Sequence, residues 1–187
     1  MRRIILIKHA KAQPVEGSSP ETWPLSEAGK EAARQLAQKI ESHRPAAIVS
    51  SPEPKALETA QILGELLQVP VKTHRDLEEH DRVNMPLLQT REFISLMALL
   101  FKQPNKVVLG NETAKAALWR MESAVDEILK EHPEQNVAIV SHGTVLALWL
   151  AKKLEMDGFP IWREMSQPAY VVVEEQEMKV VERVDRI

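Results

Sequence analysis

The chain contains no cysteine, which excludes a disulfide framework, a thiolate nucleophile and any Cys-ligated zinc or iron–sulfur centre. It also lacks a long apolar run. The best stretches, Leu96–Phe101 and Val145–Ala151, fall far short of the ~20 residues that span a bilayer. Met1-Arg2-Arg3 followed by Ile4–Ile7 has the outline of a signal peptide, but Lys8-His9 closes the run below the ~7–15 residues of an apolar h-region. A cytoplasmic protein without a membrane partner is expected. Positive charge is not in excess either: 24 Lys and Arg against 27 Asp and Glu give −3, which argues against nucleic acid as a partner. Histidines at H-x-x-x-H or H-x-H spacing and acidic clusters at ligand spacing are missing too, so neither a metal nor a cofactor is expected. Internal repeats and low-complexity tracts are absent.

What is present suits one globular domain spanning 1–187. The 187 residues are 44% hydrophobic and 27% charged, enough to bury a core without covalent staples. Short branched apolar runs at Ile4–Ile7, Ala46–Val49 and Val137–Val140 read as strands buried on both faces. Val69–Thr73 is a shorter one, with Pro70 favouring its start or a sheet edge. Between them lie helical patterns. Ser26 serves as N-cap for a helix carrying Ala33, Leu36, Ala37 and Ile40 on one face. Ser50-Ser51-Pro52 opens another with Ala56, Ala60, Leu63 and Leu67. Further helices are expected at Arg91–Phe101, after Asn111 (Leu118, Met121, Val125, Ile128) and at Thr144–Leu154. Tyr170–Val173 and Met178–Val184 form a closing hairpin around the solvated turn Glu174–Glu177. Alternating strands and helices predict an α/β fold with a mostly parallel central sheet covered on both sides. The irregular stretch at about 81–111 reads as a cap or flap.

In such sheets ligands sit beyond the carboxyl ends of the strands. His9 follows the first strand there, His142 follows Val137–Val140, and Lys55 stands in the first turn after Ser50-Ser51. A lone histidine after a strand is more often a capping or surface residue; two in equivalent positions point to chemistry. His43 and His132 read as solvated residues at helix ends, and His74 as a strand-end residue.

Several motifs then run in order. Leu6-Ile7-Lys8-His9-Ala10-Lys11 resembles the Leu-X-Arg-His-Gly motif of the histidine phosphatase superfamily, the phosphoglycerate mutase-like fold. Pro24-Leu25-Ser26-Glu27-Ala28-Gly29 is similar to its Leu-Thr-Glu-X-Gly helix entry. Ser51-Pro52-Glu53-Pro54-Lys55-Ala56-Leu57-Glu58-Thr59-Ala60 resembles Ser-Pro-Leu-X-Arg-Ala-X-Gln-Thr-Ala. Leu77-Glu78-Glu79 matches the Leu-X-Glu segment, Gly110-Asn111-Glu112-Thr113 resembles a Gly-Glu-Ser element, and Val140-Ser141-His142-Gly143 is similar to the second histidine motif. The resemblance covers about residues 4–150. It implies a three-layer α/β/α sandwich and a metal-independent phosphomonoester phosphatase of the small-phosphatase branch, acting through a phosphohistidine on His9. It further implies Lys8, Lys55 and His142 around the phosphoryl oxygens and Glu79 as proton donor, with Glu78 the competing candidate. A small phosphorylated molecule or a phosphoprotein would be the substrate, and an exposed edge strand would allow a homodimer.

Departures from the family pattern loosen the grip on phosphate. Lys8 and Lys55 stand where arginine is usual, keeping charge but losing the planar fork that grips two phosphate oxygens at once. Ala12 stands where a hydroxyl commonly helps bind phosphate. Arg75, Arg82 and Lys11 are the cations available to compensate. These departures carry the alternative reading, a phosphoester-binding or regulatory protein with weak catalysis. A phosphoglycerate-type mutase is the third, disfavoured because the hairpin ends at Ile187 with no closing tail. Trp23, Met85, Phe93, Met97 and Phe101 are candidates for an apolar substrate pocket, although the helical spacing of the last three equally fits plain core. Trp149 and Trp162 read as packing residues.

Overall fold

The computed structural model describes residues 1–83, 85 and 88–187. Among these, six strands, β1 (Arg3–Lys8), β2 (Ala47–Ser50), β3 (Val71–Thr73), β4 (Val137–Ser141), β5 (Ala169–Glu174) and β6 (Lys179–Val184), form one sheet in the order β3-β2-β4-β1-β5-β6. The first four are mutually parallel; β5 and β6 run antiparallel to their neighbours. Among the described residues six α-helices connect and cover them: α1 (Glu27–Ile40), α2 (Pro54–Leu67), α3 (Thr90–Lys102), α4 (Ala114–Glu131), α5 (Gly143–Leu154) and α6 (Gly158–Glu164). None of the described helices is long and apolar enough to cross a membrane.

The two-residue period of a strand divides β1 between two cores. Ile5 and Ile7 face α1 and α2, packing with Leu36, Ile40 and Leu63; Ile4 and Leu6 face the other layer, with Met121, Val125 and Leu146. Each fully buried branched side chain contributes roughly 1.5–3 kcal/mol, so a one-residue slip in β1 would invert both cores. Helix starts follow local chemistry: the Ser26 hydroxyl accepts from Gly29 N–H and the Thr113 hydroxyl from Ala116 N–H, each at 3.0 Å.

Three features depart from expectation. β3 starts at Val71, because Pro70 has no N–H and contributes only its carbonyl, which accepts from Ile48 N–H at 2.9 Å. α6 was concealed by Gly158 and Pro160, yet proline is tolerated in a first helical turn, and Asp157 caps it by accepting from Phe159 N–H at 3.0 Å. His43 is buried rather than solvated: its Nε2 lies 2.9 Å from Glu182 Oε2, and Glu182 also accepts from the Tyr170 hydroxyl.

The segment 81–111, whose residues 84, 86 and 87 lie outside the described residues, carries α3. Met97 and Leu100 are buried core. Phe93 packs edge-on against Trp162, and Phe101 lies 6.4 Å from Phe159, centroid to centroid. The helical spacing of Phe93, Met97 and Phe101 thus serves packing against α6.

Candidate active site

The register of the sheet assembles the site. β1 and β4 are parallel neighbours with Lys8 opposite Ser141, so His9 and His142 emerge side by side. His9 N–H donates to the Ser141 carbonyl at 3.0 Å, and the two imidazole centroids lie 5.1 Å apart, the rings inclined by 61°. β2 ends at the same level, where Ser51 N–H donates to the Val140 carbonyl at 2.9 Å. His9 is 4% exposed and His142 0%.

The ring of His9 is oriented by its own backbone neighbour. Nδ1 lies 2.7 Å from the Ala10 carbonyl; a carbonyl only accepts, so Nδ1 carries the hydrogen and Nε2 keeps its lone pair. Burial holds the His9 pKa well below the ordinary value. His142, Lys55 and Lys8 push the same way, against the Ala10 carbonyl. Burial likewise brings His142 down to about 3, with the attraction of Glu79 opposing and Lys55, Arg120 and Arg82 adding. Both imidazoles are neutral at physiological pH. His142 Nε2 is 2.8 Å from the Ser51 hydroxyl and 3.3 Å from Glu53 Oε1.

Both lysines are present at the site with their ammonium groups bonded inside the protein. Lys8 Nζ donates to the Met165 carbonyl at 2.8 Å. Its side chain passes close to Gly143: a Cβ there would meet Lys8 Cε at 3.1 Å and Nζ at 3.2 Å, so the lysine end would have to shift by a few tenths of an ångström. Burial lowers the Lys8 pKa, Glu79 opposing and Arg82 adding. Lys55 Nζ donates to the Pro20 carbonyl at 2.9 Å and to Glu53 Oε2 at 2.5 Å. The Thr59 hydroxyl ties α2 to the His9 loop, accepting from Ala10 N–H at 3.1 Å and donating to the Lys55 carbonyl at 2.7 Å.

Glu79 lies over the N-terminus of α5. Its carboxylate accepts from Thr144 N–H (3.2 Å), the Thr144 hydroxyl (3.1 Å), Val145 N–H (3.4 Å) and His80 N–H (2.9 Å). Burial alone would raise its pKa. Arg82, His142 and these backbone donors outweigh it and hold the carboxyl well below the usual range, as expected of an anion at a helix N-terminus. Glu78 gives its carbonyl to Arg120 at 2.6 Å, and its carboxylate makes no hydrogen bond among the described residues.

Of the three cations named as compensators, Arg82 is brought in. It donates to the Thr144 hydroxyl at 2.5 Å, lies 3.9 Å from Glu79 and stacks over Phe93 at 5.3 Å. Arg75 and Lys11 are exposed. Ala12 pairs with Leu25 in an isolated bridge and offers no hydroxyl. Sequence reasoning missed Glu53, buried between Lys55 and His142, and Arg120, which fixes the Glu79 segment. The signal for Glu53 was available: it occupies the Leu position of the Ser-Pro-Leu-X-Arg-Ala pattern. Among the described residues, no group of three or more His, Asp or Glu is placed to hold a metal ion.

Residues 4–183 match the model of the histidine phosphatase superfamily, branch 1. The "Uncharacterized phosphatase PhoE" of Bacillus subtilis is 24% identical over 154 residues, covering 78% of this chain and 74% of that protein. The "Probable phosphoglycerate mutase GpmB" of Proteus mirabilis is 26% identical over 177 residues, covering 88% and 79%. Among solved structures, the native mycobacterial glucosyl-3-phosphoglycerate phosphatase superposes with a TM-score of 0.81 at 19% identity, covering 100% of this chain and 99% of that one.

Proposed function

The chain belongs to branch 1 of the histidine phosphatase superfamily and is a phosphatase; on that premise we propose that it hydrolyses phosphomonoesters, without a metal, through a phosphohistidine on His9. The observation that carries this is the orientation of His9: Nδ1 is tied to the Ala10 carbonyl and a second imidazole stands 5.1 Å away. Nε2 therefore holds the lone pair that attacks phosphorus. The N–P bond forms, the ester P–O bond breaks, and the leaving oxygen departs with a proton as an alcohol. Water then attacks phosphorus, the N–P bond breaks and inorganic phosphate leaves. Lys8, Lys55 and His142 would surround the three equatorial oxygens, where charge builds in both steps.

Glu79 is the residue proposed for proton transfer, as donor to the leaving oxygen and then as base for water. It rests ionised, so the proton it passes to the leaving oxygen is one that arrives with the phosphomonoester monoanion, and it takes a proton back when water attacks. Phosphorylated metabolites and phosphoproteins are the proposed substrates. The alternative, a phosphoester-binding protein of low turnover, draws support from one observation: Lys8 and Lys55 are already bonded to Met165, Pro20 and Glu53.

The two readings separate in one experiment. Hydrolysis of p-nitrophenyl phosphate in the presence of EDTA, lost in His9→Ala, together with acid-labile, alkali-stable phosphate on the wild-type protein, is the expected result. Phosphate binding without turnover would leave the binding-protein reading; unchanged turnover in His9→Ala would remove His9 as nucleophile.

A further inference from the structure

Glu53 is a carboxylate placed among the groups that receive phosphate. It is 9% exposed and stands at the N-cap position of α2 without capping the helix through its side chain. Its oxygens instead take the site's donors. Oε2 accepts from Lys55 Nζ at 2.5 Å, and Oε1 accepts from Glu79 N–H at 2.7 Å and lies 3.3 Å from His142 Nε2. Two of the three groups assigned to the phosphoryl oxygens thus already have an anion against them.

The groups that face this carboxylate are Lys55 from α2, Glu79 from the segment after β3, and His142 from the turn before α5. With both imidazoles neutral, the described site holds three cations, Lys8, Lys55 and Arg82, against two carboxylates, Glu53 and Glu79. The excess is a single positive charge. A phosphoryl dianion brings a third anionic group into a space where Glu53 is shielded by one lysine. Two anions forced to share a buried site resolve the conflict by sharing a proton. Burial raises the Glu53 pKa against the pull of Lys55, whereas Glu79 has the helix terminus and Arg82 to keep it ionised. Of the two carboxylates, Glu53 is the one that takes the proton.

We propose that Glu53 sets the charge state of the bound ligand: each phosphoryl dianion enters with one proton, held between the Glu53 carboxyl and a phosphoryl oxygen, so that phosphomonoesters bind as monoanions. This rests on the phosphate-site reading above and makes Glu53 a specificity-determining residue. Ligand binding weakens as pH rises above the second phosphate pKa, about 6 for esters, because the proton must then be drawn from solvent.

The test is calorimetric titration of the full chain with orthophosphate at pH 8.5, in buffers of different ionisation enthalpy, which counts the protons taken up. Wild-type protein is expected to take up close to one proton per phosphate. Glu53→Gln is expected to take up close to none and to bind at least tenfold more tightly at that pH. Glu53→Leu is the second variant and should behave the same way. Binding by the wild type without proton uptake, or a full proton still taken up by both variants, overturns the role of Glu53 and leaves the phosphate site standing. Absence of phosphate binding in the wild type and in both variants defeats the phosphate site itself.

Discussion

Arg120 on α4 grips the backbone of Glu79, its Nη2 donating to the Glu79 carbonyl at 2.7 Å. The same guanidinium donates to the carbonyls of Asp76 (3.0 Å) and Glu78 (2.6 Å) and pairs with Glu112, whose Oε1 also accepts from Asp81 N–H at 2.9 Å. The segment that carries Glu79 is therefore positioned by a planar cation reaching across from a helix distant in sequence.

Arg120→Met is accordingly expected to lower kcat for p-nitrophenyl phosphate about 100-fold with KM little changed, because a displaced Glu79 affects proton transfer more than phosphate binding. Breaking this half-buried pair leaves Glu112 without its cation and costs about 1–3 kcal/mol of stability. Adding Glu112→Met should restore much of the melting temperature without restoring kcat. Recovery of both together would reduce Arg120 to a structural residue.

The buried neutral imidazoles make stability depend on pH. The folded pKa of His142, about 3, lies below the unfolded value of about 6.5. The unfolded chain therefore binds the proton first as pH falls, and stability is lost between pH 6.5 and 3. From pH 7 to pH 5 this amounts to about 2 kcal/mol from His142. Urea denaturation at the two pH values measures it. A His142→Asn variant should show a shallower loss; an equal loss would locate the dependence elsewhere.

Restoring the arginine fork at both lysine positions should strengthen the phosphate clamp. Lys8→Arg combined with Lys55→Arg is expected to raise kcat/KM about tenfold, the worth of one extra charge-assisted hydrogen bond. A fall in kcat/KM would mean that the site is shaped for ammonium groups, as the close passage of Lys8 beside Gly143 would then explain.

Gly143→Ala tests that passage directly. A methyl group 3.1 Å from Lys8 Cε pushes the ammonium group off its line. KM should rise several-fold while the melting temperature, which depends on the cores and not on this contact, moves little. A large loss of stability with unchanged KM would contradict the assignment of Lys8 to phosphate.

Much of this site could be read along the chain because its pieces sit where local rules are strongest. Ile4–Ile7 and Val137–Val140 declare themselves as buried strands, and the residues that follow buried parallel strands are positioned by the sheet. Arg120 was not readable, since its bonds to the Glu79 segment cross 41 to 44 positions of sequence and nothing about its place on α4 signals them. The burial of His43 is hidden for the same reason: its partner Glu182 lies 139 positions away, on β6. α6 failed on composition, because Gly158 and Pro160 are poor helix residues except in a first turn. Glu53 differs from these: it stands inside the Ser-Pro-Leu-X-Arg-Ala pattern, at the position where leucine is usual.

The cross-strand partnership of Lys8 with Ser141 has a consequence for how such a protein can diverge. The distance between the two rings is gauged by the backbone ladder of β1 and β4, so replacing side chains elsewhere leaves it intact. Adding or deleting one residue in either strand would carry one ring about 3.3 Å along and turn it to the opposite face. Length variation among descendants of this chain is therefore confined to the connections, while these two strands keep a fixed count.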